Sequence, residues 1–257
     1  MTAVDPQRVQ SALVCMYLDP AYAEAVRGAG PLPELRPPER ALLRDVDPRA
    51  LRTDAFRRAR AVHTIVEEYP VSAALLGVAG VDAFFSTPAF RTCVFAHGSM
   101  ALSFGTWLGD RAGGPGHLEA AAARARRPAP LAGAGLACSP RIVPLRVPAG
   151  TLEFHERLRA RLGADPVAAL ARAPGPARER PPRSSRREAV LVEASASGEV
   201  SLGTASEPLV RLLIHAATPR PRAELVAEAV RLGADDAAEA ASLIDAWLAD
   251  GLLVELG

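Results

Sequence analysis

Three early segments of this chain begin in the same way, at Asp5-Pro6, Asp19-Pro20 and Asp47-Pro48. An aspartate carboxylate accepts hydrogen bonds from the free N–H groups of a first helical turn. A proline at the first helical position gives up no bond, because that N–H has no partner inside the helix. The first half of the chain is therefore read as a series of capped helices. "DPQRVQSALVCMYL" puts Val9, Leu13 and Met16 on one stripe, and "DPAYAEAVRG" is a short helix closed by Gly28. "TDAFRRARAVHTIVEEYP" sets Phe56, Ala59, Val62, Val66 and Tyr69 at three- and four-residue steps, with charges between them and Pro70 as its stop. "TPAFRTCVFAHGSMALSFGTWLGD" reads as one further helix from Pro88, apolar on most sides and so expected through the middle of a bundle. No strand-type alternation of any length precedes residue 140. "AGGPG" at 112–116 reads as a turn, and "HLEAAAARARR" as a last Ala-rich helix.

The middle of the chain changes register. "RIVPLRVPAG" is extended, and its prolines confine it to a sheet edge or a loop. "TLEFHERLRARLGADPVAALARA" is one or two helices. "PGPARERPPRSSRRE" is too rich in Pro, Arg and Ser to bury apolar surface and reads as a linker over residues 172–187. From Glu188 the order becomes strand, strand around Ser197-Gly198, three helices and the closing strand "LLVEL". Size and order are those of a winged-helix-like module. The fold class expected is mainly α, an N-terminal helical bundle over 1–127, a connection over 128–187 and a small α+β module over 188–257.

Chemistry is sparse. The five histidines and three cysteines, Cys15, Cys93 and Cys138, have no metal-ligand or disulfide spacing. His63 and Glu67 are one helical turn apart, which suits a metal ligand pair or simply a surface or capping histidine, and no further ligand is near in sequence. There is no GxSxG, Walker loop or GxGxxG, so no catalytic residue, metal ligand or cofactor site is assigned. The net charge is +1 without a single lysine, which argues against a large nonspecific nucleic-acid surface. The arginines of "RRAR" at 57–60 fit a solvated helix face or an acidic partner. The opening "MTAVDPQRVQ" has no basic-then-apolar signal, and no apolar run approaches the ~20 residues of a membrane span. The expected location is the cytoplasm.

Two stretches carry a resemblance. "VDPRALRTDAFRRARAVHTIVEEYPVSAALLG" followed by "FFSTPAFRTCVFAHGSMALSFGTWL" is similar to the helical half of partner subunits of multinuclear non-heme iron-dependent oxidative enzymes, of the kind that serve methanobactin and thiaglutamate maturation. "PRAELVAEAVRLGADDAAEAASLIDAWLADGLLV" resembles the RiPP recognition element of such partners. The resemblance spans about 5–127 and 188–257. It implies a non-catalytic protein that binds the leader of a ribosomally synthesised precursor peptide. It also implies a heterodimer with an iron-dependent oxidative enzyme, the irons lying in that other subunit.

A winged-helix transcription regulator with a helical sensing or dimerisation domain is the competing reading. A base-reading helix needs Arg, Lys, Asn or Gln towards the base edges. The last helix carries Asp235, Asp236, Glu239, Asp245 and Asp250 instead, so DNA is disfavoured. An enzyme with an unrecognised site is the third reading. Under the peptide reading, the hairpin offers a free edge on which an extended peptide can add as a strand. Val190, Val192, Val200 and Leu202 are the strand residues of that candidate site. Leu243 and Trp247 share one face of the last helix, Ile244 and Leu248 the neighbouring face. Either all four pack the core, or one pair does and the other lines a groove between the strand edge and the helix. The sequence leaves open which.

Overall fold

The computed structural model describes residues 4–52 and 55–257. Thr53 and Asp54, which open the longest stretch read as a helix, lie outside the described residues. In chain order the first elements are α1 (Pro6–Leu18), α2 (Pro20–Arg27), α3 (Pro37–Arg44), α4 (Pro48–Arg52), α5 (Ala55–Glu68) and α6 (Pro70–Asp82). A 3-10 turn at Ala83–Ser86, α7 (Pro88–Phe95), α8 (Met100–Leu108) and α9 (Gly113–Arg126) follow. Then come β1 (Gly135–Cys138), β2 (Ile142–Pro148), α10 (Thr151–Leu162) and α11 (Pro166–Arg172). The chain closes with β3 (Arg187–Ala194), β4 (Val200–Thr204), α12 (Glu207–His215), α13 (Arg222–Arg231), α14 (Ala237–Ala249) and β5 (Leu253–Leu256). The protein is mainly helical with a small complement of strands. Among the described residues no single helix is long and apolar enough to cross a membrane.

The chain divides into two compact units, one of residues 1–112 and 158–180, the other of 113–157 and 181–257. The division does not follow the boundaries at 127 and 188. Helix α9, expected in the bundle, packs on the strands instead. Its Leu118, Ala121, Ala122 and Ala125 share a core with Val147, Leu152, Val190 and Val192.

Among the described residues the regular elements of the first unit are all helices. Asp5 and Asp19 cap α1 and α2 through their carboxylates, and Asp165 caps α11 in the same way ahead of Pro166. An aromatic cluster of Tyr69, Phe84, Phe85, Phe90 and Phe104 fills the core with edge-to-face contacts. The Tyr69 hydroxyl is satisfied there by the Ala101 carbonyl at 2.7 Å. The stretch expected as one helix from Pro88 is two. His97 takes a positive φ of 51°, and the Ser99 hydroxyl caps the restart at α8 by accepting from Leu102 N. Helix α6 is interrupted at Gly77 (φ 71°, ψ 166°), and residues 174–177 hydrogen-bond into the gap. The Pro/Arg-rich segment is thus tied to folded structure at its start rather than being a free linker.

The second unit is built on a three-stranded antiparallel sheet in the order β2-β3-β4. Pro144 and Pro148 sit on β2, an edge strand, as their missing N–H groups require. Val143, Leu145, Val147, Val190, Val192, Val200 and Leu202 face α9. Leu191 and Ile142 face the opposite side, with Leu213 of α12. Gly113 to Gly116, expected as a turn, form the first turn of α9. A Cβ on Gly114 would stand 2.4 Å from the Thr151 hydroxyl oxygen, so glycine lets α9 approach α10 closely. Glu188 of β3 caps α10, accepting from Gly150 N at 2.9 Å and Leu152 N at 2.8 Å. Strand β1, which no alternation announces, pairs antiparallel with β5, Leu136 opposite Glu255. A bridge from Leu136 to Arg220 adds a third piece of chain to that ladder.

Candidate functional site

The candidate site starts from β4. Its inner edge is paired with β3, Val192 opposite Leu202 and Val190 opposite Thr204. Ala205 N bonds Ala189 O, and Ser195 N bonds Glu199 O. Antiparallel ladders alternate, so Ser201 and Gly203 point their backbone groups at β3, while Val200, Leu202 and Thr204 point theirs away. No further strand pairs with β4 among the described residues. The outward N–H and C=O groups of this edge are the kind that an extended peptide can complete.

Two residues beyond β4 the chain reaches a groove of about 230 Å³. Ser206 stands at its rim and caps α12, accepting from Leu209 N. Leu209 and Leu212 of α12, Leu232 in the turn after α13, and Leu243 and Trp247 of α14 form its apolar wall. Glu239 is its acidic member. Capping explains the local carboxylates at the start of α14. Asp236 accepts from Ala238 N and Glu239 N, both at 2.8 Å, and Glu239 accepts from Asp235 N at 2.6 Å. No lining side chain is basic.

The structure therefore resolves the two faces of the last helix. Ile244 is fully buried and Leu248 packs with it, while Leu243 is 36% exposed and shares the groove with Trp247. It also corrects the expected site in two respects. Val190 and Val192 are fully buried beneath α9 and β2, because the hairpin is part of a three-stranded sheet with a helix on that face. Their side chains are closed to a peptide, and Val200 and Leu202 are half-buried against the same core. The groove is walled by helices and their connections, with no residue of β3 or β4 lining it. Leu209 and Leu212 were not singled out from sequence. The signal for them was the excess of apolar positions in "PLVRLLIH", more than one buried face can use.

Elsewhere the chemistry stays quiet. His63 pairs with Glu67 at 3.3 Å on an exposed face of α5. His63 also lines an apolar cavity of about 410 Å³ between α5, α6 and α11, at whose side Arg58 grips Asp82 through two bonds of 2.6 and 2.7 Å. The hydrogen bond to Asp82 holds the Arg58 guanidinium above its usual range. Among the described residues no three His, Cys, Asp or Glu side chains converge as metal ligands. The three cysteines are free and buried, and burial pushes the thiols of Cys15 and Cys138 up to about 12.

No family model, curated protein or solved structure matches this chain.

Proposed function

We propose that the second unit is a peptide-recognition module, and that the chain is a non-catalytic partner of an iron-dependent oxidative enzyme. In this reading the leader of a ribosomally made precursor adds as a strand on β4 and sends a side chain into the groove beside it. The observation that carries the reading is the free edge of β4 together with an apolar groove, walled by Leu243 and Trp247, whose lining begins at Ser206, two residues along the chain from that strand. Main-chain pairing supplies affinity in such complexes and the pocket supplies selectivity. The order β3-β4-α12-α13-α14-β5 is winged-helix-like in sequence, with the difference that β5 takes β1 as its partner. The resemblance of residues 5–127 and 188–257 to partner subunits supplies the rest: the precursor leader, the enzyme and the heterodimer. The irons then belong to the enzyme.

The acidic start of α14 weighs against the regulator reading. Phosphates would meet Asp235, Asp236 and Glu239 where a base-reading helix presents Arg, Lys, Asn or Gln.

The test first reads the neighbouring genes for an iron-enzyme gene and a short Cys-containing reading frame, and then uses the full chain with those two products. Size-exclusion chromatography should show a complex with the enzyme. Addition of the leader should protect the amides of Leu202 and Thr204 from hydrogen exchange. A folded chain that leaves the leader free, or protection elsewhere than on β4, would overturn the proposal.

A further inference from the structure

We infer that the peptide held by this groove is cationic, with Arg or Lys flanking the apolar residue that enters between Leu243 and Trp247. The inference rests on the reading of the second unit as a peptide module and adds the class of peptide. From Glu188 to Gly257 the chain carries twelve Asp and Glu against four Arg, and the whole compact unit, with residues 113–157 and 181–187, carries fifteen against thirteen, so the acidic excess is local to the terminal helices and strands. Three of those four arginines are engaged within the unit: Arg220 with Glu224 at 3.2 Å, Arg222 with Asp245 at 2.5 Å, and Arg231 with Glu228. None of the four lines the groove.

Capping accounts for where Asp236 and Glu239 sit, since both hydrogen-bond backbone N–H groups at the start of α14. It does not cancel their charge. A helix N-terminus offers about half a positive unit charge, against the full charges of Asp235, Asp236 and Glu239. Glu239, the charged member of the groove lining, therefore keeps a negative charge beside the apolar wall, with Asp235 and Asp236 close by in the chain. An apolar side chain fits the wall. A guanidinium or ammonium one or two residues away meets the carboxylates, while an acidic flank is repelled. The carboxylates alone would be a solvated helix start. It is the position of Glu239 on an apolar groove, whose lining begins two residues beyond an open-edged strand, that selects the occupant.

The test is a display selection of random short peptides on the immobilised full chain, counter-selected against Leu243→Asp. The enriched peptides should carry Arg or Lys beside an apolar residue. A labelled peptide from the selection should lose affinity about tenfold when its basic residues become Glu, and should weaken as salt rises from about 50 to about 500 mM. Glu239→Gln keeps an acceptor for Asp235 N and should reduce the preference for basic over acidic flanks. Glu239→Arg should reverse it, with circular dichroism confirming the fold of both. Enriched peptides without a basic bias, or a preference unmoved by Glu239→Arg, would overturn the cationic assignment while leaving the peptide module standing. Failure to enrich any peptide that Leu243→Asp loses would remove the module itself, and this inference with it.

Discussion

Leu243 and Ile244 are neighbours on α14 with opposite surroundings: Ile244 is sealed in the core with Leu213, Leu225 and Leu253, and Leu243 stands 36% exposed on the groove. A helix turns by about 100° per residue, so adjacent positions report different faces. The two substitutions should separate cleanly. Ile244→Ala should cost ~2–5 kcal/mol of stability, because it leaves a cavity that the core fills only in part. Leu243→Ala should stay within ~1 kcal/mol, as expected of a half-solvated position, and should weaken peptide binding instead. Chemical denaturation and calorimetry together read both effects. Equal stability losses at the two positions would contradict the faces described.

Trp247 is the larger side chain in the groove, and it also packs on the clusters around Ile244 and Ala240. Trp247→Ala is expected to weaken peptide binding by ~2 kcal/mol if the ring anchors the peptide. It should also lower the melting temperature, which Leu243→Ala should leave almost unmoved. Unchanged affinity in a folded Trp247→Ala variant would remove the ring from the site.

The free edge of β4 gives a backbone test. The N–H of Thr204 points away from β3, and that of Gly203 towards it. Proline is tolerated where the missing N–H faces outward on an edge strand and costs a ladder bond where it does not. Thr204→Pro should leave the thermal midpoint close to that of the native chain while abolishing strand addition. Gly203→Pro should destabilise the hairpin. Full peptide binding by Thr204→Pro would show that the peptide does not pair with β4.

What the sequence made legible was local. The Asp-Pro caps, the Pro-marked edge strand β2, the hairpin around Gly198 and the three terminal helices all follow from residue types at short spacing. Long-range pairing was not legible. "GLAC" at 135–138 has no alternation, and it becomes a strand only because β5 lies opposite it. Val190 and Val192 carry the pattern of any half-buried strand, and nothing nearby in sequence says that α9, some seventy residues upstream, covers their face. The break between α7 and α8 was hidden because the stretch is apolar on both sides of His97 and Gly98, with Phe90 and Val94 four residues apart before it and Met100 and Phe104 four apart after it. In the candidate site, Leu243 and Trp247 were legible as a pair. Their assignment to the groove needed the core to be seen.

Stability should fall in alkali for a reason that the thiols supply. Burial raises Cys15 and Cys138 from 9.0 to about 12 in the folded chain. The folded state therefore holds protons that the unfolded state releases. The contribution of the neutral thiols is fully present below pH ~9 and is lost as pH rises through about 12. Unfolding free energy measured by denaturant at stepped pH should decline across that window, and Cys138→Ala should flatten the decline. A thiol reagent at pH 8 should label the native chain slowly and all three cysteines quickly in denaturant. Rapid labelling of Cys138 in the native chain would contradict its burial.

Glu188 links β3 to the start of α10 through two backbone N–H groups, those of Gly150 and Leu152. Removing a side-chain cap costs ~1 kcal/mol, and more where the acceptor is charged and serves two donors. Glu188→Ala should therefore lose ~1–3 kcal/mol, and Glu188→Gln, which keeps one acceptor, should lose less. Urea denaturation orders the three proteins. Equal stability of Glu188→Ala and the native chain would show that water replaces the cap at no cost.

Gly77 carries the interruption of α6. Its φ of 71° and ψ of 166° lie in a region that only glycine visits freely. The gap it opens is used: Val78 N donates to Pro174 O at 2.9 Å, and Ala177 N donates to Ala74 O at 2.7 Å. A Cβ at Gly77 would also stand 2.8 Å from Pro176 N and 2.9 Å from Pro174 O, both backbone atoms with no side-chain freedom to give way. Gly77→Ala combines a strained backbone, ~1–3 kcal/mol on its own, with a clash that must expel the 174–177 segment or distort α6. The expected loss is ~3 kcal/mol or more, with faster proteolysis after Arg172 and Arg178 as the segment lifts. Gly175 is the control within the same segment, since a Cβ there meets nothing within 4 Å. Gly175→Ala should be neutral or slightly stabilising, because it narrows the freedom of the unfolded chain. Denaturation curves and trypsin kinetics on the two variants decide the matter. If Gly77→Ala behaves like Gly175→Ala, the segment is not seated in the break, and the Pro/Arg-rich stretch is a free linker at its start after all.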